Sequence, residues 1–171
     1  FMMVYIKERD EVFYIDYRSR SPLNSNIRNL FNLRNNAKDT APIKFSNSKF
    51  DIVRYGYHAP ATPGTVAGLL DAHANFGSLP LEEVLSPVIN QAANGILVSY
   101  DLHKAIESSE QLKNDPESKK IYFIDDKPLP ENYLMKRPDL AKTIRLISQK
   151  GKDGFYKGEI ADKFIDAMNI N

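Results

Sequence analysis

"FMMVYIKERDEVFYIDYRSRSP", residues 1–22, decides the fold. Two apolar and aromatic runs, 1–6 and 12–17, flank the charged stretch KERDE at 7–11, which has the length of a hairpin turn. A strand with one face in water alternates apolar and polar residues, but these runs are apolar at nearly every position. They therefore predict a sheet covered on both faces. In the second strand Phe13, Ile15 and Tyr17 fall on one face and Tyr14, Asp16 and Arg18 on the other. The run then ends in two fixed positive charges, Arg18 and Arg20. A surface arginine finishing a strand is one reading. The other is anion recognition, because guanidinium is a planar fork that binds a carboxylate bidentately, and the end of a buried strand would pre-orient it.

Outward from the hairpin, residues 22–57 are rich in Asn, Ser and Lys with scattered apolar side chains. They predict a long irregular loop with a helical turn near 27–33. At Thr62 the pattern turns helical, with Thr62 placed to act as N-cap and Pro63 at the first helical position. Val66, Leu69, Leu70 and His73 follow at helical spacing, and Gly77 closes the helix. Gly64 and Gly68, four apart, share a face bare of side chains, which lets that helix approach a neighbour closely. Further helices are expected over 81–95, broken or kinked at Pro87 and ended by Gly95; from the cap Ser99 to about Leu112; over 137–151, between Pro138 and Gly151; and over 158–168. KKIYFIDDKPLP at 119–130 predicts a short strand and a turn. Hairpin (1–22), long loop (23–61) and mainly helical remainder (62–171) make one α+β domain with segregated helices.

Composition removes several function classes. The 171 residues are 42% hydrophobic, enough for a globular core. With 23 basic against 22 acidic residues the net charge is +1, which leaves no electrostatic footprint for nucleic acid or an anionic membrane. The absence of cysteine excludes disulfides, thiolate metal sites and a cysteine nucleophile. His58, His73 and His103 show no ligand spacing, so surface or packing roles are expected and a metal site is not. PATPGTVAGL at 60–69 lacks the lysine and hydroxyl of a phosphate loop. Glu82/Glu83 and Asp125/Asp126 read as solvated pairs, since adjacent helix residues do not face each other. No serine has the G-x-S-x-G context. No apolar run approaches the roughly 18–20 residues of a membrane span, and no signal peptide is visible. The opening FMMVYI already reads as mid-strand, so Phe1 is not expected to be the natural start.

The order of motifs resembles the γ-glutamyltranspeptidase family, in the N-terminal part of its large subunit. FMMVYI…FYIDYRSRSP resembles the family's glycine-Phe-Met strand and its D-[FY]-R-E-x-A-P segment. TPGTVAGLLDAHANFGSLPLEEVLSPVINQAANGILVS resembles its P-G-T-V-A-G helix and the helix after it. KRPDLAKTIRLISQKGKDGFYKGEIADKFIDAM resembles its Leu-Ala-x-[ST]-Leu pattern and G-x-x-x-F-Y-x-G-x-[IL]-A run. The resemblance implies an Ntn-hydrolase αββα sandwich, a precursor that cleaves itself, and a small-subunit partner whose new N-terminal threonine is the nucleophile. That threonine attacks the γ-glutamyl amide of a small-molecule donor, typically glutathione, and water or an acceptor amine resolves the γ-glutamyl-enzyme. It implies no metal or organic cofactor, and a periplasmic or extracellular setting that the sequence itself leaves undecided. No catalytic residue is then expected in this chain: Thr40, Thr62, Thr65 and Thr143 are internal, and the glycine pair of the oxyanion hole belongs to the small subunit. Aligned on Asp16–Tyr17, the family's arginine that grips the substrate α-carboxylate is Arg18. The sequence departs from the pattern at the next two positions, where Ser19 replaces the usual glutamate and Arg20 adds a cation. Those departures leave open a related Ntn amidohydrolase, of poly-γ-glutamate or cephalosporin-acylase type, or a catalytically silent homologue.

Overall fold

The structure is a computed structural model that describes residues 1–23 and 59–170. Strands β1 (Met2–Ile6) and β2 (Glu11–Ile15) pair antiparallel, with Met2 opposite Ile15, Val4 opposite Phe13 and Ile6 opposite Glu11. The turn at 7–10 is held by the Arg9 N–H on the Ile6 carbonyl at 3.1 Å. Its left-handed corner is Asp10 (φ 48°), whose carboxylate accepts the Tyr5 hydroxyl at 3.0 Å.

The period of two works as expected on one face only. Met2, Val4, Phe13 and Ile15 are half-buried, and the Phe13 ring meets Phe76 at 5.0 Å. Phe1, Met3, Tyr5, Val12 and Tyr14 face outward, Met3 at 73% exposure. No element among the described residues covers that second face. β2 also stops at Ile15, two residues short of the expected Tyr17. Beyond it the Arg18 N–H turns to the Asp16 carboxylate at 3.0 Å.

The helices follow: α1 (Thr65–Phe76), α2 (Leu81–Asn94), α3 (Tyr100–Glu107), α4 (Glu110–Asn114), α5 (Pro116–Tyr122), α6 (Pro138–Lys150), α7 (Asp153–Tyr156) and α8 (Glu159–Ile170). Short strands β3 (Ile96–Leu97), β4 (Phe123–Ile124), β5 (Lys127–Pro128) and β6 (Leu134–Met135) form two small ladders, β3 with β6 and β4 with β5. The principal helix pair is α2 against α6.

Several boundaries correct the expectations. α1 starts at Thr65, not at Thr62, because Thr62 is engaged in a backbone bridge with Arg20. α2 runs unbroken through Pro87 and ends, as expected, on Gly95 at φ 105°. The helix expected from Ser99 to Leu112 is two helices. Ser99 caps α3 through the Leu102 N–H at 3.2 Å, and Ser109 starts α4 afresh on Leu112 at 3.3 Å. Asp115 then caps α5 on Ser118 at 2.7 Å, so residues expected in a strand are helical up to Tyr122. Asp125 and Asp126 make the expected turn, both at positive φ (49° and 63°), the geometry of a two-residue hairpin. Val98, Ile106, Phe123, Leu129 and Met135 form the core, with Leu102, Leu112 and Tyr122 packed around it. The helical turn expected near 27–33 and most of the long loop lie outside the described residues.

Candidate functional site

The site is built where the hairpin's exit meets the entry of α1. After β2 the chain passes Asp16 and Tyr17, and at Arg20 it pairs with Thr62. The Arg20 N–H donates to the Thr62 carbonyl at 3.2 Å, and the Thr62 N–H to the Arg20 carbonyl at 2.8 Å. The Tyr17 hydroxyl donates back to the Phe1 carbonyl at 3.1 Å. These bonds tie the segment carrying Arg18 at both ends.

The second wall is the entry of α1. Its two glycines meet Tyr17: a Cβ at Gly64 would lie 2.2 Å from the Tyr17 carbonyl oxygen, and one at Gly68 would lie 2.1 Å from the Tyr17 Cβ. The bare helix face thus has the close neighbour the sequence predicts, and that neighbour is the end of the hairpin. Between the two lies an open recess of about 430 Å³. Phe1 and residues 17–19 line one side, and Ala61 with residues 63–65 line the other.

Arg18 stands in this recess, exposed. Its backbone is fastened, while its guanidinium has no carboxylate within 4.0 Å among the described residues. Asp16, the nearest acid in sequence, spends an oxygen on the Arg18 N–H. A free planar fork beside a recess of this size can receive a carboxylate bidentately. Arg20 is also exposed but does not line the recess, so the two arginines are not equivalent. Ser19 lines it and offers one hydroxyl where an acid would have offered a countercharge.

Other candidates fall elsewhere. His73 Nε2 lies 2.8 Å from the Leu79 carbonyl, and His103 Nδ1 lies 2.8 Å from that of Leu129, both packing roles. His58 and Thr40 lie outside the described residues. Asp126 pairs with Lys119, which holds its carboxyl below the ordinary range by hydrogen bond and charge. Thr65 opens α1 at the recess, and Thr143 bonds the Asp139 carbonyl at 3.0 Å within α6. Among the described residues no group of three or more His, Asp or Glu could hold a metal ion, and no helix is long and apolar enough to cross a membrane.

Sequence reasoning missed Tyr156. Its hydroxyl donates to the Pro63 carbonyl at 2.8 Å and accepts the Ala67 N–H at 3.1 Å, reaching α1 from about ninety residues away. With Thr62 read as the N-cap, nothing in the sequence signalled it; only the observed N-cap, Gly64, which has no capping side chain, leaves that role open.

Comparison with known proteins adds to this geometry. The profile of the family described as gamma-glutamyltranspeptidase matches residues 1–171. A glutathione hydrolase proenzyme of Pseudomonas sp. (strain A14) is 32% identical over 98% of this chain and 28% of its own length. The crystal structure of Helicobacter pylori gamma-glutamyltranspeptidase superposes with a TM-score of 0.82 at 25% identity, covering 99% of this chain and 46% of that one. A cephalosporin acylase from Bacillus halodurans, at 18% identity and a TM-score of 0.73, shares the fold alone. The mixed helix-and-strand architecture is thus that of the Ntn-hydrolase class. The chain spans well under half the length of the curated relative.

Proposed function

The chain belongs to the γ-glutamyltranspeptidase family, and from that premise we propose that it is the N-terminal part of a large subunit that binds the α-carboxylate of a γ-glutamyl donor through Arg18. Residues 1–22 would supply the sheet hairpin with the substrate arginine, 23–61 a long connecting loop, and 62–171 the helical layer. The observation that carries the reading is the guanidinium of Arg18, free of any carboxylate among the described residues, beside a recess closed on its far side by the entry of α1. A positive fork on a fastened backbone selects a ligand with a carboxylate at one end and leaves its far end free to react elsewhere.

In this reading the chemistry lies in a small-subunit partner released from the same precursor. Its N-terminal threonine attacks the γ-glutamyl amide, the amine of the donor leaves with a proton, and water or an acceptor amine releases the glutamyl group. The relative's printed name, a proenzyme, supports a precursor, and the open apolar face of the β1–β2 hairpin supports a further layer packed on it. This chain's own part is to hold the donor's carboxylate at a fixed distance from that nucleophile, which converts binding into orientation.

A second reading keeps the machinery and changes the donor. Ser19 replaces the usual acid of the family motif and Arg20 adds a cation nearby at its variable position, so the segment around the site carries more positive charge. That favours a donor with an additional anionic group, such as a poly-γ-glutamate end or an acyl amide of cephalosporin type.

A donor screen on the whole protein, with intact mass and N-terminal sequencing, tests both. Transfer from glutathione to glycylglycine, with a second polypeptide beginning in threonine, is the expected result. Turnover of other amides only would establish the second reading. A single uncleaved polypeptide with no turnover would identify a silent homologue and contradict the assignment.

A further inference from the structure

α1 begins without the acceptor that helix N-termini ordinarily recruit. A Ser, Thr, Asp or Asn at the N-cap normally satisfies one of the first free N–H groups. Here the N-cap is Gly64, and no capping side chain fits there, since a Cβ would lie 2.2 Å from the Tyr17 carbonyl oxygen. The close approach that brings the Arg18 segment against α1 is what rules out a cap in the usual place.

The acceptor arrives from another part of the chain. Tyr156 straddles the N-cap, its single hydroxyl accepting from Ala67 N–H and donating to the Pro63 carbonyl. The phenol is itself held. Phe155 meets its ring edge-on at 5.0 Å, and a Cβ at Gly154 would lie 2.2 Å from the Leu146 carbonyl oxygen, so α7 is seated tightly on α6. Lys152 also pairs with Asp71 of α1 at 2.5 Å, but both side chains are about half exposed, so this neighbouring ion pair contributes little to the hold.

We propose that Tyr156 is a positioning residue for the Arg18 recess. Its hydroxyl fixes the turn at 63–67, and through Gly64 and Gly68 that turn bears on Tyr17 and on the Arg18 carbonyl, setting where the guanidinium stands. The inference rests on the reading of Arg18 as the carboxylate grip and adds the element that aims it.

The test uses the mature, full-length enzyme and compares Tyr156→Phe, Arg18→Ala and Lys152→Ala. Tyr156→Phe keeps the ring and removes only the hydroxyl. It should raise KM for the γ-glutamyl donor about three- to tenfold, the size of a lost neutral hydrogen bond, leave kcat within about twofold, and speed amide exchange at Ala67. Lys152→Ala removes the neighbouring tie but not the hydroxyl, and should leave KM unchanged. An unchanged Ala67 exchange rate, an unchanged KM beside a raised one in Arg18→Ala, or an equal rise in Lys152→Ala would each overturn the inference alone. An unchanged KM in Arg18→Ala would overturn the reading of the site itself.

Discussion

Arg18 and Arg20 differ by two positions and by everything that surrounds them. Arg20 is fixed through its backbone to Thr62 and does not line the recess. Arg18 has its backbone N–H taken by Asp16, while its guanidinium stays free among the described residues. The fork and its place after an apolar strand were legible in the sequence. The face it shares was legible too: although the strand ends at Ile15, Phe13, Ile15 and Tyr17 are half-buried and Tyr14, Asp16 and Arg18 are exposed. The four-residue spacing of Gly64 and Gly68 announced a close contact, but not that Tyr17 would fill it. This gives a prediction at the same scale. Gly64→Ala or Gly68→Ala inserts a methyl into space that Tyr17 occupies, at 2.2 Å and 2.1 Å from its nearest atoms. Either should cost about 1–3 kcal/mol of stability, read as a lower denaturation midpoint. The control Gly151→Ala meets no atom within 4 Å, though its φ of 58° strains any side chain, so its cost should come from backbone alone. Equal midpoints for Gly68→Ala and the unmodified protein would show that the glycine face is not required.

Among the elements, the helices closed by Gly77, Gly95 and Gly151 were readable from their punctuation: Gly95 and Gly151 stand at positive φ, and a Cβ at Gly77 would lie 2.5 Å from the His73 carbonyl oxygen. The region 99–130 was harder. Helix propensity is continuous across Ser108 and Ser109, and the break is made by side-chain caps that need the fold's direction to be known. The β3–β6 ladder was missed because each strand is two residues long and its partner lies almost forty residues away. α8 shows what element-scale charges do. Glu159 accepts from Lys142 of α6 at 2.7 Å and from Lys163 at 3.0 Å, and hydrogen bonds from these two lower its carboxyl below the ordinary value. Because the folded value lies below the unfolded one, the stabilisation is complete above the ordinary carboxylate range and is lost as pH falls through the folded value. Lys142 is raised, so its share persists below the ordinary lysine range and fades as pH rises through its folded value. Glu159→Gln should therefore melt slightly lower than the unmodified protein at neutral pH. The gap should close in acid and shrink with added salt, since these groups are exposed. A gap that persisted unchanged in acid would contradict the ion pair as its source.

At the scale of the whole molecule, the hairpin carries the account. Its apolar runs predicted two covered faces, and the described residues cover one. Phe1, Met3, Tyr5, Val12 and Tyr14 together form an apolar patch of a kind that soluble proteins rarely leave open. The chain spans 28% of its curated relative, so the family's remaining parts lie outside it. Fold class was readable because hairpin and helices follow one another in blocks. The site was readable only to the extent that one side chain carries it; its second wall comes from α1 and its support from Tyr156, and neither is adjacent to Arg18 in sequence. Arg18 is proposed to recognise the donor's α-carboxylate. That proposal is tested most directly by measuring kcat/KM for a γ-glutamyl donor and for the same donor with its α-carboxylate converted to an amide, in the unmodified enzyme and in Arg18→Ala. A charged bidentate contact is worth about 1.5–3 kcal/mol, or roughly 10- to 150-fold. The unmodified enzyme should prefer the free carboxylate by about that factor, and Arg18→Ala should lose most of the preference. An Arg18→Ala enzyme that still chose the carboxylate as strongly as its parent would place the grip on another residue.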